Sequence, residues 1–391
     1  MIKFDFQTYS KNLISENKVN KFIKKLDKYD IYKEDMTGFM DFEYLKSDIN
    51  EIKEVKEYIN SNCEAFIVIG TGGSYLGAKS IVNLFKKNNK EIYFIGDSLS
   101  SEYFEEIKKI IKEKEVIVNV ISKSGNTFEI KLYFDLIKKE LEKKYLNYHD
   151  RIIITTTKDN ELSKEPCYKV LYIKENIGGR FSVFTSAGLL PIAVADINIE
   201  NLVLGASDSI KNFDNQKRYA SIKKIMNKEK QVEAFVVYEP KLYYFTEWIK
   251  QLFAESLGKN KDGLLPISFI NTRDLHSMEQ YIQDGKQILF ETVISIEKTN
   301  EVFVDEYNKT LDELNNIAQE SVSYTHYNNK ILNSIIKLDK LDEYNIGYLM
   351  QFFMVSCAFC GFLQKINAFN QEKVEIYKKN LKNTLKLREN Y

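Results

Sequence analysis

The stretch FIVIGTGGSYLGAKS, residues 66–80, decides the fold. Its apolar beginning breaks into three glycines within four residues, followed by a serine and then by a helix-like pattern. A buried strand, a glycine-rich turn and a helix start, in that order, form an arrangement that holds anions at the helix N terminus. The stretch therefore predicts an α/β domain in which this turn borders an anionic ligand.

The same alternation of strands and helices continues along the chain. Runs rich in isoleucine and valine precede helical segments of ten or more residues, which is typical of βαβ units whose parallel strands are buried on both faces. The predicted strands cover residues 64–70, 91–97, 115–122, 151–157 and 168–173 in a first set, and 232–238 and 287–296 in a second set. We predict two doubly wound parallel-sheet domains at 61–204 and 205–330, wrapped by helical segments at 1–60 and 331–391.

Composition limits the class of protein. Lys+Arg and Asp+Glu both number 56, so the chain lacks the excess positive charge with which proteins bind nucleic acid. The N terminus lacks the apolar core of a signal peptide, and no apolar run approaches the 18 or so residues that span a membrane. Four scattered cysteines do not make a disulfide framework. We expect a cytoplasmic enzyme with neither a nucleic-acid nor a membrane partner.

Three kinds of ligand could fit the first glycine turn. A dinucleotide fingerprint needs a third glycine where Tyr75 stands, and a P-loop needs its lysine directly after Gly77, where Ala78 intervenes. The third possibility is a single sugar phosphate, contacted by the backbone of Gly73 and by the backbone and hydroxyl of Ser74.

A second loop favours the sugar phosphate. The segment ISKSGNTFE, residues 121–129, also lies between a strand and a helix start, and it places Ser122, Lys123, Ser124, Asn126 and Thr127 within six positions. Hydroxyls and backbone N–H groups at a helix N terminus suit a phosphate monoester. Helix capping accounts for one of these residues but poorly for all five.

Five blocks of sequence, taken together, resemble the bacterial type of the glucose-6-phosphate isomerase (phosphoglucose isomerase) family. They occur in the family's order and are GTGGSYLGAKS, SKSGNTFE, GGRFSVFTSAGLLPIA, QLFAESLGKNKDGLLP and DLHSMEQYIQDG. The resemblance implies two sugar-isomerase-type domains. It also implies that glucose 6-phosphate and fructose 6-phosphate are interconverted through ring opening and a cis-enediol, without a metal or an organic cofactor.

The resemblance also implies roles for individual residues. Ser122, Lys123, Ser124 and Thr127 match the family's phosphate-binding loop, and Ser74 matches the serine of the first glycine turn. In the blocks GGRFS and QLFAESLGK, Arg180 beside Gly179 matches the arginine near the enediol oxygens, Glu255 the catalytic base, and Gln251 a residue on the substrate side. His276 matches the ring-opening histidine, which in the family comes from the neighbouring subunit of a homodimer.

The C-terminal match is looser. The segment FNQEKVEIYK, residues 369–378, aligns with a family motif that reads roughly F-D-Q-P-G-V-E-x-x-K. Gln371 and Lys378 fall on the motif's glutamine and lysine, and Lys378 would be catalytic. Glu372 and Lys373 replace the Pro-Gly pair, which leaves the backbone shape of this loop open.

The required chemistry agrees with these residue types. One carboxylate reaching two adjacent carbons can move a proton between them, a guanidinium can stabilise the enediolate without losing its charge, and a histidine can open the ring near neutral pH. The other histidines, His149 and His326, are predicted to be loop or surface residues without a role. Cys357 and Cys360 lie in an apolar helical run and are predicted to pack in the core rather than bind metal.

Two other functions stay open from the sequence. One is a regulator that binds a phosphosugar without turning it over, and the other is an isomerase on the same scaffold that also accepts mannose 6-phosphate.

Overall fold

The computed structural model describes residues 2–388, so Met1 and the last three residues of the expected 331–391 segment lie outside the described residues. The strands form two five-stranded sheets and one two-stranded hairpin. In chain order they are β1 (Ile2–Asp5), β2 (Ala65–Ile69), β3 (Glu91–Ile95), β4 (Val116–Ile121), β5 (Ile152–Thr156), β6 (Lys169–Tyr172), β7 (Val232–Val237), β8 (Leu265–Ile270), β9 (Leu289–Lys298), β10 (Phe303–Val304), β11 (Lys309–Thr310) and β12 (Asn333–Lys340).

The helices cover both faces of each large sheet and connect the strands. They are α1 (Glu16–Leu26), α2 (Phe42–Asn62), α3 (Leu76–Phe85), α4 (Ser101–Glu113), α5 (Phe128–Lys144), α6 (Ser186–Val194), α7 (Ile199–Ser209), α8 (Asp214–Met226), α9 (Tyr243–Leu257), α10 (Leu275–Asp284), α11 (Leu311–Asn328), α12 (Glu343–Gln364) and α13 (Glu372–Arg388).

The first sheet is wholly parallel and has the order β3-β2-β4-β5-β6. Strands β2 and β4 are buried along their entire lengths, as their β-branched sequences predict. From β2 the chain goes first to β3 on one side and then to β4 on the other. The loops that follow β2 and β4 therefore diverge, and open α/β sheets bind ligands in the crevice at such a reversal point. The two polar loops singled out from the sequence are these two loops.

The second sheet repeats this plan with the order β1-β12-β9-β7-β8. Strand β7 pairs in parallel with both β8 and β9, and β9 pairs in parallel with β12. Two doubly wound α/β units are thus present, and the predicted fold class is confirmed.

The terminal segments need a correction, because they were expected to be helical. Strand β12, in the 331–391 segment, is an inner strand of the second sheet, and β1, in the 1–60 segment, pairs with it antiparallel. The sequence of β12, NSIIKLDK, interrupts its apolar residues with Lys337 and Asp339, and β1 has only four residues. Such short, broken patterns do not distinguish a strand from a loop.

Helix α12 is the central core helix. It packs against α7, α8 and α9, and its side chains are buried on all sides. By length and composition it could cross a membrane, but 89% of its most apolar window is buried inside the protein, as in the core helix of a globular domain. Cys357 and Cys360 lie on it as buried free thiols, which confirms the predicted core packing.

Candidate active site

The side chain of Arg180 lies at the centre of the site. It follows Gly179 in a single helical turn, and only 5% of it is exposed. Its Nη1 is 3.2 Å from Oε1 of Glu255, and its Nε donates a hydrogen bond of 3.0 Å to Oγ of Ser256. Burial lowers the pKa of Arg180, while the Glu255 carboxylate opposes this shift. A guanidinium in this setting stays charged at neutral pH.

The other side of the guanidinium faces the segment between α12 and α13. Nη1 of Arg180 donates to Oε1 of Gln371 at 2.9 Å, and Nη2 donates to the carbonyl oxygens of Ala368 and Asn370 at 2.9 and 3.3 Å. Residues 180, 255 and 371 thus come together although almost two hundred positions separate the first from the last.

Helix α9 presents two polar side chains to the arginine. Glu255 lies in its last turn, and Gln251, one turn earlier, donates from Nε2 to Oε2 of Glu255 at 3.1 Å. The Glu255 side chain is 23% exposed, so a ligand can reach the carboxylate. Oε1 of Gln251 is buried and has no hydrogen-bond partner among the described residues. A ligand hydroxyl could supply the missing donor.

Glycines bring the first loop against these groups. A Cβ atom on Gly73 would lie 2.3 Å from the backbone of Gly179, so the turn can approach the arginine loop only without a side chain. Gly72 has φ +54°, and a Cβ there would lie 2.8 Å from Nε2 of Gln251. Ser74 closes the same turn and is half-buried. The first loop therefore borders Arg180 and Gln251.

Hydroxyl groups hold the backbone of the second loop in place. Oγ of Ser122 accepts from the N–H of Gly125 at 3.1 Å, and the hydroxyls of Thr156 and Thr157 donate to the carbonyls of residues 122 and 123 at 2.6 and 2.9 Å. Thr127 occupies the N-cap position of α5, but its side chain makes no capping hydrogen bond. Ser124 is exposed. Capping therefore does not use the Thr127 hydroxyl, and the helix N terminus is open to an anion.

Lys123 connects this loop to the arginine loop. Its Nζ donates 2.7 Å to the carbonyl oxygen of Glu175, five residues before Arg180. Burial lowers the pKa of Lys123. The three loops at 70–77, 122–127 and 175–181 are thus joined at the carboxyl edge of the first sheet.

The replacement of Pro-Gly by Glu372 and Lys373 falls on the first two positions of α13. Proline is common at the first position of a helix, and an acidic residue is favoured there by the helix dipole. Glu372 can therefore start the helix as proline would, and Gln371 keeps its place beside Arg180. Lys378 lies on α13, where it pairs with Glu375 at 2.7 Å, and within the described residues no hydrogen bond or ion pair joins it to Arg180 or Glu255.

His276 is exposed on α10. Within residues 2–388 no hydrogen bond or ion pair of its ring joins it to Glu255 or Arg180 of the same chain. A role in the site would therefore need the histidine of another copy, or a movement of α10.

The prediction that His326 lies in a loop or at the surface is wrong. It is buried in α11, where Nδ1 is 2.8 Å from Oε2 of Glu291 on β9, and Nε2 is 3.0 Å from Oε2 of Glu279 on α10. Burial alone would lower the pKa of His326, but hydrogen bonds and charge from Glu291 and Glu279 raise it to about 9. The ring therefore ties the helix that carries His276 to the second sheet.

This arrangement predicts a pH dependence of stability. Because the pKa of His326 rises from 6.5 unfolded to about 9 folded, its contribution of about 3 kcal/mol is complete below pH 6.5 and is lost as the pH rises through 9. The free energy of unfolding should fall across this window in the unaltered protein and remain flatter in His326→Gln. His149→Gln serves as the control, because it changes a half-buried ring whose centroid lies 3.9 Å from that of Tyr148 at an interplanar angle of 44°. Parallel curves for His326→Gln and the unaltered protein would contradict the assignment.

Sequence reasoning missed two residues of the site. Ser256 and Lys259 lie in the block QLFAESLGK, and both bond to the groups around Arg180. Their position in that block was the available signal, because each lies within four residues of Glu255.

Comparisons with known proteins agree with this geometry. The family profile described as phosphoglucose isomerase matches residues 42–321. The chain belongs to the phosphoglucose isomerase family. A glucose-6-phosphate isomerase of Clostridioides difficile (strain 630) is 41% identical over 375 residues, covering 86% of this chain and 84% of that protein. One from Acholeplasma laidlawii (strain PG-8A) is 37% identical, covering 97% of this chain and 98% of that protein. The resemblance inferred from the sequence is confirmed.

Solved structures show the same fold. A crystal structure of a hypothetical protein from Thermus thermophilus superposes with a TM-score of 0.88 at 25% identity, covering 98% of this chain and all of that one. A glucose-6-phosphate isomerase from Chlamydia trachomatis gives a TM-score of 0.79 at 20% identity, covering 88% of this chain and 74% of that one. The fold of the Chlamydia trachomatis enzyme thus extends over most of this chain.

Proposed function

We propose that this protein interconverts glucose 6-phosphate and fructose 6-phosphate. The observation that carries the proposal is the Glu255 carboxylate held 3.2 Å from the buried guanidinium of Arg180, beside the glycine turn that follows β2. Family membership supports the same reaction, since the relatives at 37–41% identity are glucose-6-phosphate isomerases.

In this proposal Glu255 carries the proton between the two reacting carbons. The base takes the proton from C2 of the open-chain aldose and returns it to C1. Between these two steps negative charge lies on O1 and O2 of the enediolate, and the proton of the O2 hydroxyl passes to O1, so that C2 becomes the ketone carbon. Arg180 stabilises that negative charge, because its position is fixed before the reaction and it cannot deprotonate. Gln251 orients the carboxylate through a hydrogen bond from Nε2, and its Oε1 accepts a hydrogen bond from a substrate hydroxyl.

The phosphate would rest on the loop at 122–127. The N terminus of α5, the hydroxyls of Ser124 and Thr127 and the Lys123 ammonium offer donors and positive charge to a dianion. Ser74 and Gly73 would border the sugar between this loop and Glu255. The charged end of the substrate would thus hold the reacting carbons in place.

Ring opening is assigned to His276 of a second copy, in a homodimer. The exposure of helix α13 favours a dimer. None of its described side chains is buried, and its apolar residues Ile376 and Tyr377 are more than half exposed. Covering such side chains stabilises an interface. Lys378, on the same helix, would reach the substrate only if α13 moved or were bound by that second copy.

Mixing two inactive variants tests the exchange of His276 between subunits. Random pairing of Glu255→Gln with His276→Asn makes half of the dimers mixed, and one site in each mixed dimer then has both native groups. We expect co-expression to restore about a quarter of the unaltered activity. If the two residues act within one chain, the mixture stays as inactive as the separate variants.

The proposed reaction is tested on the purified protein in the presence of EDTA. Fructose 6-phosphate should be converted to glucose 6-phosphate, read by a coupled dehydrogenase, and absence of turnover would refute the proposal. A non-catalytic regulator would bind the phosphosugar under these conditions without turnover, but it has no need of the Glu255–Arg180 pair. Parallel assays with mannose 6-phosphate decide whether the C2 epimer is accepted. A cytoplasmic location belongs to this proposal as well.

A further inference from the structure

Lys259 binds the segment that holds Arg180. It lies one helical turn after Glu255 in the chain, just beyond the end of α9. Its Nζ donates to the carbonyl oxygens of Asn367 and Asn370 and to Oδ1 of Asn370, the last two at 2.8 and 2.7 Å. An ammonium group has three donors, and all three are used here. Lys259 therefore has no donor left for a substrate.

The acceptors of Lys259 belong to a turn that also binds the arginine. We call residues 367–371 the clamp turn. Ala368 and Asn370 of this turn give their carbonyl oxygens to Nη2 of Arg180, and Gln371 gives Oε1 to Nη1. The carbonyl of Asn370 is shared between the two cations. The position of the guanidinium therefore depends on a turn that Lys259 holds to the end of α9.

The far side of the clamp turn is not closely packed. A surface cavity of about 380 Å³ borders it, lined in part by Tyr29, Phe362 and Lys365. The aromatic ring of Phe369, 5.3 Å from that of Phe181, is one apolar anchor of the turn. Hydrogen bonds from Lys259 and Arg180 therefore hold a turn that could otherwise shift toward the cavity.

We propose that Lys259 is a positioning residue for the isomerisation: by fixing the clamp turn to the end of α9, it holds the Arg180 guanidinium in register with the Glu255 carboxylate. This inference rests on the proposed function, because Arg180 matters here through the enediolate that it stabilises. It adds to that function a residue that never touches the substrate.

The test compares Lys259→Met with Lys259→Arg. Removing the ammonium should lower kcat about 10- to 100-fold with little change in KM, since a displaced guanidinium affects the transition state more than the bound substrate. Lys259→Arg, which can still donate to the turn, should recover most of the loss. Lys250→Met, on helix α9, removes a lysine that pairs with Glu247 and should leave both constants unchanged.

A double-mutant cycle separates positioning from a general loss of structure. If Lys259 acts through Arg180, Lys259→Met should have almost no further effect on kcat in an Arg180→Met background. Additive losses would overturn the inference. If Lys259→Met does not fold, Asn370→Ala removes the Oδ1 acceptor of Lys259, together with an exposed hydrogen bond from Nδ2 to Glu372, and should lower kcat about 2- to 5-fold at constant KM; an unchanged kcat would overturn the inference as well. Failure of the unaltered protein to isomerise would reject the proposed function, whereas an active protein with an insensitive Lys259 would reject this inference alone.

Discussion

Glu255→Gln should lower kcat by about 10³- to 10⁴-fold while the affinity for fructose 6-phosphate changes little. Glutamine keeps the size of the side chain and can still bond to Gln251 and Arg180, but it cannot take up the proton that must move between C2 and C1. In the proposed function the phosphate, bound at the other end of the crevice, supplies most of the affinity. Steady-state kinetics together with calorimetric titration of a five-carbon aldonate phosphate would measure the two effects separately.

Glu247→Gln provides the matched control for this prediction. Glu247 lies two turns earlier on α9 and pairs with Lys250, so the change removes a carboxylate from the same helix outside the site. Its kcat should match that of the unaltered protein. An active Glu255→Gln would mean that another group is the base.

Arg180→Lys should lower kcat/KM about 10²- to 10³-fold. The lysine keeps the charge but loses the planar fork that bonds Glu255, Ser256 and the clamp turn at once. The carbonyl oxygen of Ala368 would lose the donor that Arg180 provides, while that of Asn370 keeps Lys259, so stability should fall by about 1–3 kcal/mol. Kinetics and urea unfolding of the same variant measure both losses.

Arg151→Lys is the control for Arg180→Lys, because it also keeps the positive charge and loses hydrogen bonds of a guanidinium. Arg151 donates to the carbonyl of Asn62 at 2.6 Å and pairs with Glu115 at 2.9 Å, in a comparable structural role outside the site. We expect reduced stability with unchanged kcat/KM. If Arg180→Lys behaved in the same way, Arg180 would be structural only.

The sequence predicted the parts of the fold that are determined locally. Strand β2 is a continuous apolar run and β4 is an apolar run interrupted at Asn119. Each ends in a loop of glycines and hydroxyls before a helix, so the apolar pattern and the turn residues both indicate these strands. The loops at 70–77 and 122–127 follow β2 and β4, which pair in parallel. Their carboxyl ends therefore lie at the same edge of the sheet, and the two loops come close together.

Contacts between distant parts of the chain could not be predicted in this way. Strand β1 is identified only by its partner β12, more than three hundred residues away. The buried ring of His326 depends on Glu291 and Glu279 from two other elements. In the clamp turn the motif indicated Gln371, but the contacts of Ala368 and Asn370 with Arg180 had no local signature, because they use carbonyl oxygens that any sequence possesses. Hydrophobic periodicity and sequence motifs depend on residues that are close along the chain. The contacts described here join residues that are distant along the chain, so they appear only in the folded structure.

The most direct test of the central claim follows deuterium at C2 of glucose 6-phosphate by nuclear magnetic resonance. With the unaltered protein, the label should leave C2 at a rate close to turnover, part of it reaching C1 of fructose 6-phosphate and part the solvent. With Glu255→Gln, bound to the same phosphosugar, the label should stay at C2 over at least a thousandfold longer time. Loss of the label from C2 at comparable rates in both proteins would contradict the assignment of Glu255 as the base.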